Sequence, residues 1–310
     1  LHLLIWEKRL FIIEGAITIV IAVAAFFVLP NFPRTTKWLT EEERELAVWR
    51  LQEDIGVDDW VDSKSQTFWG GFSLAIKDIK VWILMFMLLG IVSAGSFTNF
   101  FPSVVKTLNY DNITTLLLTV PPYALAVITV FLNAVHADKT GERTLHIVLP
   151  LIVALAAFIL AMATTSTGPR YAAMVLMVST TPLPHNLFVT TLTKHLQVPS
   201  VYTSYVIVLA WISNTIARPP AKRAVALALI NAVSNASQIY AAYMYSGGPR
   251  YILAFSVNCG TILLSIALAV VLRIMLARAN RKLDRGEEVR NATNAEMQGE
   301  AMRKGFRYLI

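Results

Sequence analysis

Charge is scarce in this sequence and cysteine is almost missing. Only 15% of the 310 residues are charged, and Cys259 is the single cysteine. One cysteine excludes an intramolecular disulfide and any zinc site built on cysteine pairs. A nucleophile elbow, a phosphate-binding glycine loop and a paired-histidine metal motif are also missing. His2, His136, His146, His185 and His195 are scattered. No catalytic constellation stands out, so the expectation is a protein that is not an enzyme and needs no cofactor or metal. No secretory signal peptide is visible: Leu1 is the first residue, and Trp6-Glu7-Lys8-Arg9 runs straight into an apolar stretch.

What is present is apolar length. Hydrophobic residues make up 55% of the chain, and the charges gather into a few segments. Between them lie runs at 10–29, 81–105, 113–135, 145–165, 224–245 and 251–272. Each is near the ~20 residues that cross a bilayer core as a helix. Backbone groups in hydrocarbon must pair within the segment, so these runs predict helices. A further span is interrupted. Residues 171–179 and 201–216 are apolar, but 180–200 between them carries Pro182, Pro184, His185, Lys194, His195 and Pro199. Joined directly, the two pieces make one span of about 25 residues. The insert reads either as translated intron sequence or as a broken, re-entrant segment lining a cavity. The expected fold class is an all-α integral membrane protein with about seven transmembrane helices.

Residues 30–80 form a polar stretch between the first two spans. Within it, Thr40-Glu41-Glu42-Glu43 matches a capping box that opens a short amphipathic helix through Leu46, Trp49 and Leu51. Phe68, Trp69 and Phe72 suit an approach along the membrane interface. The formal net charge is +7. The basic residues flank spans, which points to topology rather than to nucleic acid. Arg34, Lys37, Arg44 and Arg50, then Lys139 and Arg143, then Arg218, Lys222 and Arg223, then Arg273, Arg278, Arg281 and Lys282 fall on one set of connections. That set is expected to be cytoplasmic, with the amino end outside and the C-terminus inside. Asn112-Ile113-Thr114 is a glycosylation triplet on the outer side, too close to the membrane to be modified.

Polar residues inside spans are costly and face a cavity or another helix. Asn231, Ser234, Asn235 and Gln238 recur at i, i+3, i+4 and i+7, one face of a helix. Ser93, Ser96 and Asn99, with Thr98, sit in the second span beside Gly90 and Gly95. Tyr202, Tyr205, Trp211 and Asn214 follow the insert, and Tyr123 follows Pro121-Pro122. Two readings stand for these residues: hydrogen-bonding glue and packing between helices, or the lining of a substrate path. Glu14 is the one acidic residue well inside a span, a candidate proton site. No Lys or Arg lies well inside any span.

Several stretches together resemble a family. Phe11-Ile12-Ile13-Glu14-Gly15, Leu29-Pro30-Asn31-Phe32-Pro33 and Trp38-Leu39-Thr40-Glu41-Glu42-Glu43-Arg44 resemble the sixth helix and central loop of fungal major facilitator carriers. The group is similar to the anion:cation symporters, which include allantoate, nicotinate and pantothenate permeases. Asp138-Lys139-Thr140-Gly141-Glu142-Arg143 is similar to the loop between helices eight and nine, where an acid, a glycine turn and a base latch helix ends on the cytoplasmic face. Trp211-Ile212-Ser213-Asn214, Lys222-Arg223-Ala224 and the run Asn231 to Asn235 resemble helices ten and eleven, and Gly305-Phe306-Arg307-Tyr308 resembles the family's tail.

The resemblance implies two six-helix bundles that rock about a substrate held between them. It divides the chain into a last N-bundle helix (1–29), a cytoplasmic central loop (30–80), the C-terminal bundle (81–272) and a cytoplasmic tail (273–310). The chain is then expected to be the C-terminal portion, helices six to twelve, and not to transport by itself. The full-length parent is expected to be a plasma-membrane monomer that imports a small organic anion, a carboxylate or vitamin-like molecule, with protons. Asp138, Gly141 and Arg143 would form the gating latch. Two alternatives remain: a truncated, non-functional gene product, and a seven-helix receptor. A receptor offers no reason for the Asp138–Arg143 pattern.

Overall fold

The computed structural model describes residues 2–29, 33–36, 38–55, 67–106, 111–164, 166–178, 201–216, 218–246, 250–285 and 307–310. Every regular element among them is helical. The chain divides into two compact units, Leu1–Asp58 and Asp59–Ile310.

The first unit holds α1 (His2–Val28), a 3₁₀ turn (Pro33–Thr35) and α2 (Glu41–Ile55). The capping box forms as its residues require. Glu43 Oε2 accepts from the Thr40 amide at 2.9 Å, and Thr40 Oγ1 accepts from the Glu43 amide at 3.4 Å. Hydrogen bonding from Thr40 holds the exposed Glu43 carboxyl below its ordinary range. Arg44 ties the helix back to the turn through Thr36 O, at 2.9 Å.

The second unit is a helical bundle: α3 (Phe68–Lys77), α4 (Ile79–Gly95), α5 (Phe97–Lys106), α6 (Asn112–Leu117), α7 (Val120–Thr140), α8 (Thr144–Ala163), α9 (Thr167–Val178), α10 (Val201–Thr215), α11 (Pro220–Asn235), α12 (Ser237–Met244) and α13 (Ile252–Asp284). Among the described residues, five runs are long and apolar enough to cross a membrane: Ile79–Lys106, Ile113–Thr140, Thr144–Ala163, Pro220–Met244 and Ile252–Asp284. Residues 180–200, the suspected insert, lie outside the described residues; α9 and α10 flank them.

Helix α4 is the hub. It packs against α13, α11 and α10, and buries Val81, Leu84, Met87, Leu88 and Ile91. A helix apolar all round belongs in such a central place. Its approach to α13 depends on Gly90. A Cβ there would overlap Ser265 Oγ and come within 2.6 Å of the Thr261 carbonyl oxygen. Ser265 also donates to Met87 O at 3.0 Å, binding the two backbones together. Farther along, Phe97, Phe101, Phe158 and Phe255 form an aromatic knot. Phe97 lies 5.4–6.0 Å from the other three, edge to face.

Three expected spans prove discontinuous. The span at 81–105 bends at Ser96 between α4 and α5, and that at 224–245 bends at Ala236 between α11 and α12. Both hinge residues stay in the right-handed region, and each amide is shared between the third and fourth carbonyls before it. The helix tightens there rather than opens. The span at 113–135 divides before Val120, and Pro121 and Pro122 fall in the first turn of α7, where a missing amide costs little. Asp111 caps α6 through the amides of Ile113 and Thr114, both at 3.2 Å. Hydrogen bonding from Thr114 holds its carboxyl below the usual range. Helix α13 runs well past residue 272, to Asp284. Leu276 and Leu283 are buried there, and Arg281 and Lys282 sit favourably at the C-terminal end of the helix dipole.

Gly90→Ala should lower the unfolding free energy in detergent by about 1–3 kcal/mol, the usual cost of overpacking. Thermal unfolding of the purified chain measures it; an unchanged midpoint would mean that the α4–α13 contact is loose.

Candidate functional site

The two hinges face one cleft. It has a volume of about 260 Å³ and is lined by Ile91, Val92, Gly95, Thr98, Asn99, Val201, Tyr202, Tyr205, Asn235 and Gln238. Gly95, Thr98 and Asn99 straddle the Ser96 bend, while Asn235 and Gln238 straddle the Ala236 bend. Helix α10 supplies the two tyrosines. Irregular helix at membrane depth is tolerated where it meets a cavity or protein.

The polar groups are linked across the cleft. Thr98 Oγ1 and the Tyr202 hydroxyl lie 2.6 Å apart, joining α5 to α10. Asn99 Nδ2 donates to Gln238 Oε1 at 2.9 Å, joining α5 to α12. Tyr123 donates to Thr98 O at 3.3 Å, which brings α7 to the same corner. Asn235 Nδ2 turns back to Asn231, donating to its backbone and side-chain oxygens at 2.8 Å each. No Asp, Glu, Lys or Arg is among the ten lining residues. The cleft can therefore offer hydrogen bonds and aromatic faces, and no formal charge.

Of the twelve substrate-path candidates, Asn99, Tyr202, Tyr205, Asn235 and Gln238 line the cleft. Tyr123 stands at its edge through Thr98, and Asn231 stands behind Asn235. Others go elsewhere. Ser93, Ser96 and Ser234 are fully buried, and the Ser96 and Ser234 hydroxyls bond back onto their own helices. Trp211 is fully buried toward the opposite end of α10, with its indole N–H donating to Leu309 O at 3.0 Å; Asn214, farther along, also lies outside the lining. A tryptophan at helical spacing looks the same in sequence whether it walls a cavity or anchors another segment. Glu14 is exposed within the first unit. The sequence reading of the path left out Gly95, Ile91, Val92 and Val201, small and apolar positions that carry no signal of their own.

One end of the bundle is closed by ion pairs. Helices α4, α8 and α11 begin there, and α7 and α13 end there. Arg143 Nη1 meets Asp138 at 2.7 Å across a turn where Gly141 has φ +67°, a conformation that favours glycine. Glu142 pairs with Arg273 at 2.6 Å. Asp78 is 2% exposed and meets Lys222 Nζ at 2.7 Å, with Lys80 at 3.8 Å. Sequence reasoning missed the Asp78–Lys222 pair, because its members lie far apart along the chain.

A family model described as Major Facilitator Superfamily matches residues 6–242. The chain belongs to the major facilitator superfamily. Among curated relatives, an MFS-type transporter of Penicillium expansum, cnsO, is 30% identical over 310 aligned residues, covering 94% of this chain and 55% of the relative. An uncharacterised transporter of Schizosaccharomyces pombe is 28% identical over 275 residues, covering 88% of this chain and 52% of the relative. The MFS transporter prlL of Fungal sp. (strain NRRL 50135) is 37% identical over 145 residues, 45% of this chain and 28% of that one. The chain thus spans about half the length of the relatives it matches along most of its own. No solved structure matches it. As a member of this superfamily it is an integral membrane protein, and its helices follow the expected all-α class.

Asp78→Asn should destabilise this facilitator bundle by about 3–5 kcal/mol, because it leaves Lys222 and Lys80 without their carboxylate, and Lys222→Met by less, because Lys80 still faces Asp78. The double variant should lose less than the two single losses added, because Lys80 is then the one cation left without its partner. A double-mutant cycle by thermal unfolding checks this; simple additivity would mean the pair is not coupled.

Proposed function

We propose that the chain supplies helices six to twelve of a fungal facilitator, and that the full-length parent imports a small organic anion with protons, as in the anion:cation symporter group. One observation carries the reading. Two bent helices, α4–α5 and α11–α12, meet the tyrosines of α10 at a hydrogen-bonding cleft within an otherwise apolar bundle. Discontinuous helices around a polar midplane site are how carriers hold substrates. In this reading the cleft is one half of the site, and the facing bundle supplies the other half.

The mechanism follows from the parts. A substrate entering the cleft exchanges its water for Asn99, Gln238 and Tyr202. When the cleft is empty Asn99 bonds to Gln238 and Tyr202 to Thr98, so opening the site costs few unpaired groups. The pairs Asp138–Arg143 and Glu142–Arg273 hold the cytoplasmic end together, and their exchange accompanies the rocking of the bundles. Because the lining carries no charge, the partner of a carboxylate lies on the facing bundle; Glu14, on the helix before the central loop, is the candidate for the proton.

The uncharged lining also favours a second reading, a neutral, flat, hydrogen-bonding solute held between Tyr202 and Tyr205. Competition separates the two. In a yeast lacking its own permeases, the full-length parent is expected to take up labelled nicotinate or a similar carboxylate, and a protonophore should abolish the uptake. Asn99→Ala and Gln238→Ala should each lower uptake roughly 10- to 150-fold at unchanged surface expression, as lost charge-assisted hydrogen bonds would. Competition by neutral amides but not by carboxylates would select the second reading. Uptake insensitive to both substitutions would remove the cleft from the path.

A further inference from the structure

Residues 307–310 are held by four separate elements of the bundle. The Tyr308 side chain is 8% exposed, and its main chain makes a reciprocal pair with the Asn280 amide on α13. The Tyr308 amide donates to Asn280 Oδ1, and Asn280 Nδ2 donates to Tyr308 O, both at 2.9 Å. The Leu309 carbonyl accepts from Trp211 on α10. The Ile310 carbonyl accepts from the amides of Arg143 at 2.5 Å and Thr144 at 3.4 Å. Arg307 pairs with Asp284 at 2.6 Å, and Lys80 Nζ lies 5.1 Å above the Tyr308 ring.

These contacts fill gaps that the bundle leaves. Helix α8 starts at Arg143 without any side-chain cap, so its first amides need another acceptor. The indole of Trp211 is fully buried, and without Leu309 its N–H would lose that acceptor. Burial pushes the Tyr308 hydroxyl upward, with Asp78 adding to the shift and Lys222 opposing it. The contacts are individually modest. Each hydrogen bond shifts the docking equilibrium by a factor of roughly 2 to 12, and Arg307 remains 38% exposed.

We propose that residues 307–310 are a releasable strap: docked, they cap α8 and pin α10 through Trp211; released, they free the α10 segment whose far end carries Tyr202 and Tyr205 into the cleft. Trp211 and Tyr205 are six residues apart, about 9 Å along a helix, so a shift at one reaches the other within a single rigid element. As a control on the cleft, the strap rests on the carrier reading above; as a docked segment it does not.

Hydrogen exchange of the full chain in lipid nanodiscs tests it without any substrate. Trp211→Phe keeps an aromatic ring, smaller than the indole, and removes the donor. It should speed exchange of the Arg143 and Thr144 amides roughly 2- to 10-fold, with faster exchange also across residues 205–212. Tyr308→Ala should do the same to a greater extent. Unchanged exchange at Arg143 and Thr144 in Trp211→Phe would overturn the proposal even if Tyr308→Ala fails to fold. Faster exchange confined to Arg143 and Thr144 would also overturn it, because α10 would then not be pinned. A failed uptake assay leaves this result untouched.

Discussion

A backbone amide or carbonyl without a partner is costly in hydrocarbon, and the rest of the bundle is arranged around that cost. Apolar spans are long helices because a helix satisfies its own backbone. The bends at Ser96 and Ala236 are the informative departures. Both keep right-handed geometry and share their amides between two carbonyls, so the chain turns without leaving a group exposed. The polar side chains next to the bends, Asn99 and Gln238, bond to each other. A polar cleft in an apolar bundle is thus satisfied internally.

The two ends of α10 connect this cleft to the closed end of the bundle. Tyr202 and Tyr205 line the cleft, and Trp211 holds the C-terminal residues. Around Trp211, Asp78–Lys222, Asp138–Arg143 and Glu142–Arg273 bind the ends of five helices. Asp138–Arg143 and Glu142–Arg273, each with a partly exposed partner, can be exchanged at modest cost, unlike the buried Asp78–Lys222 pair or a packed apolar seam such as Gly90 against Thr261. The rigid seam and the exchangeable end together suit a bundle that moves as one body and changes contacts at its rim.

Much of the fold was legible in the sequence because apolar length is a strong signal. The run at 145–165, the capping box at Thr40 and the acid-glycine-base turn at 138–143 appear where the residues place them. The bends were not legible, since Ser96 and Ala236 are ordinary helix residues whose bending depends on what packs across from them. Trp211 was left between packing and the lining of a path because spacing gives a helix face but not the depth at which the face ends. The i, i+3, i+4, i+7 pattern of Asn231, Ser234, Asn235 and Gln238 was partly informative. The Ala236 bend turns its last two members into the cleft and leaves Ser234 buried.

The central claim is that a polar, water-reachable cleft lies at the two helix bends, within membrane-spanning helices. Single-cysteine labelling in the membrane tests it most directly. With Cys259 replaced by alanine, cysteines are placed one at a time at Asn99, Asn235 and Gln238, and for comparison at Ile159 and Leu263 on exposed apolar faces. The account predicts that a charged, membrane-impermeant thiol reagent modifies the three cleft positions quickly and the two apolar positions hardly at all. Cleft cysteines as unreactive as Ile159→Cys and Leu263→Cys would contradict it.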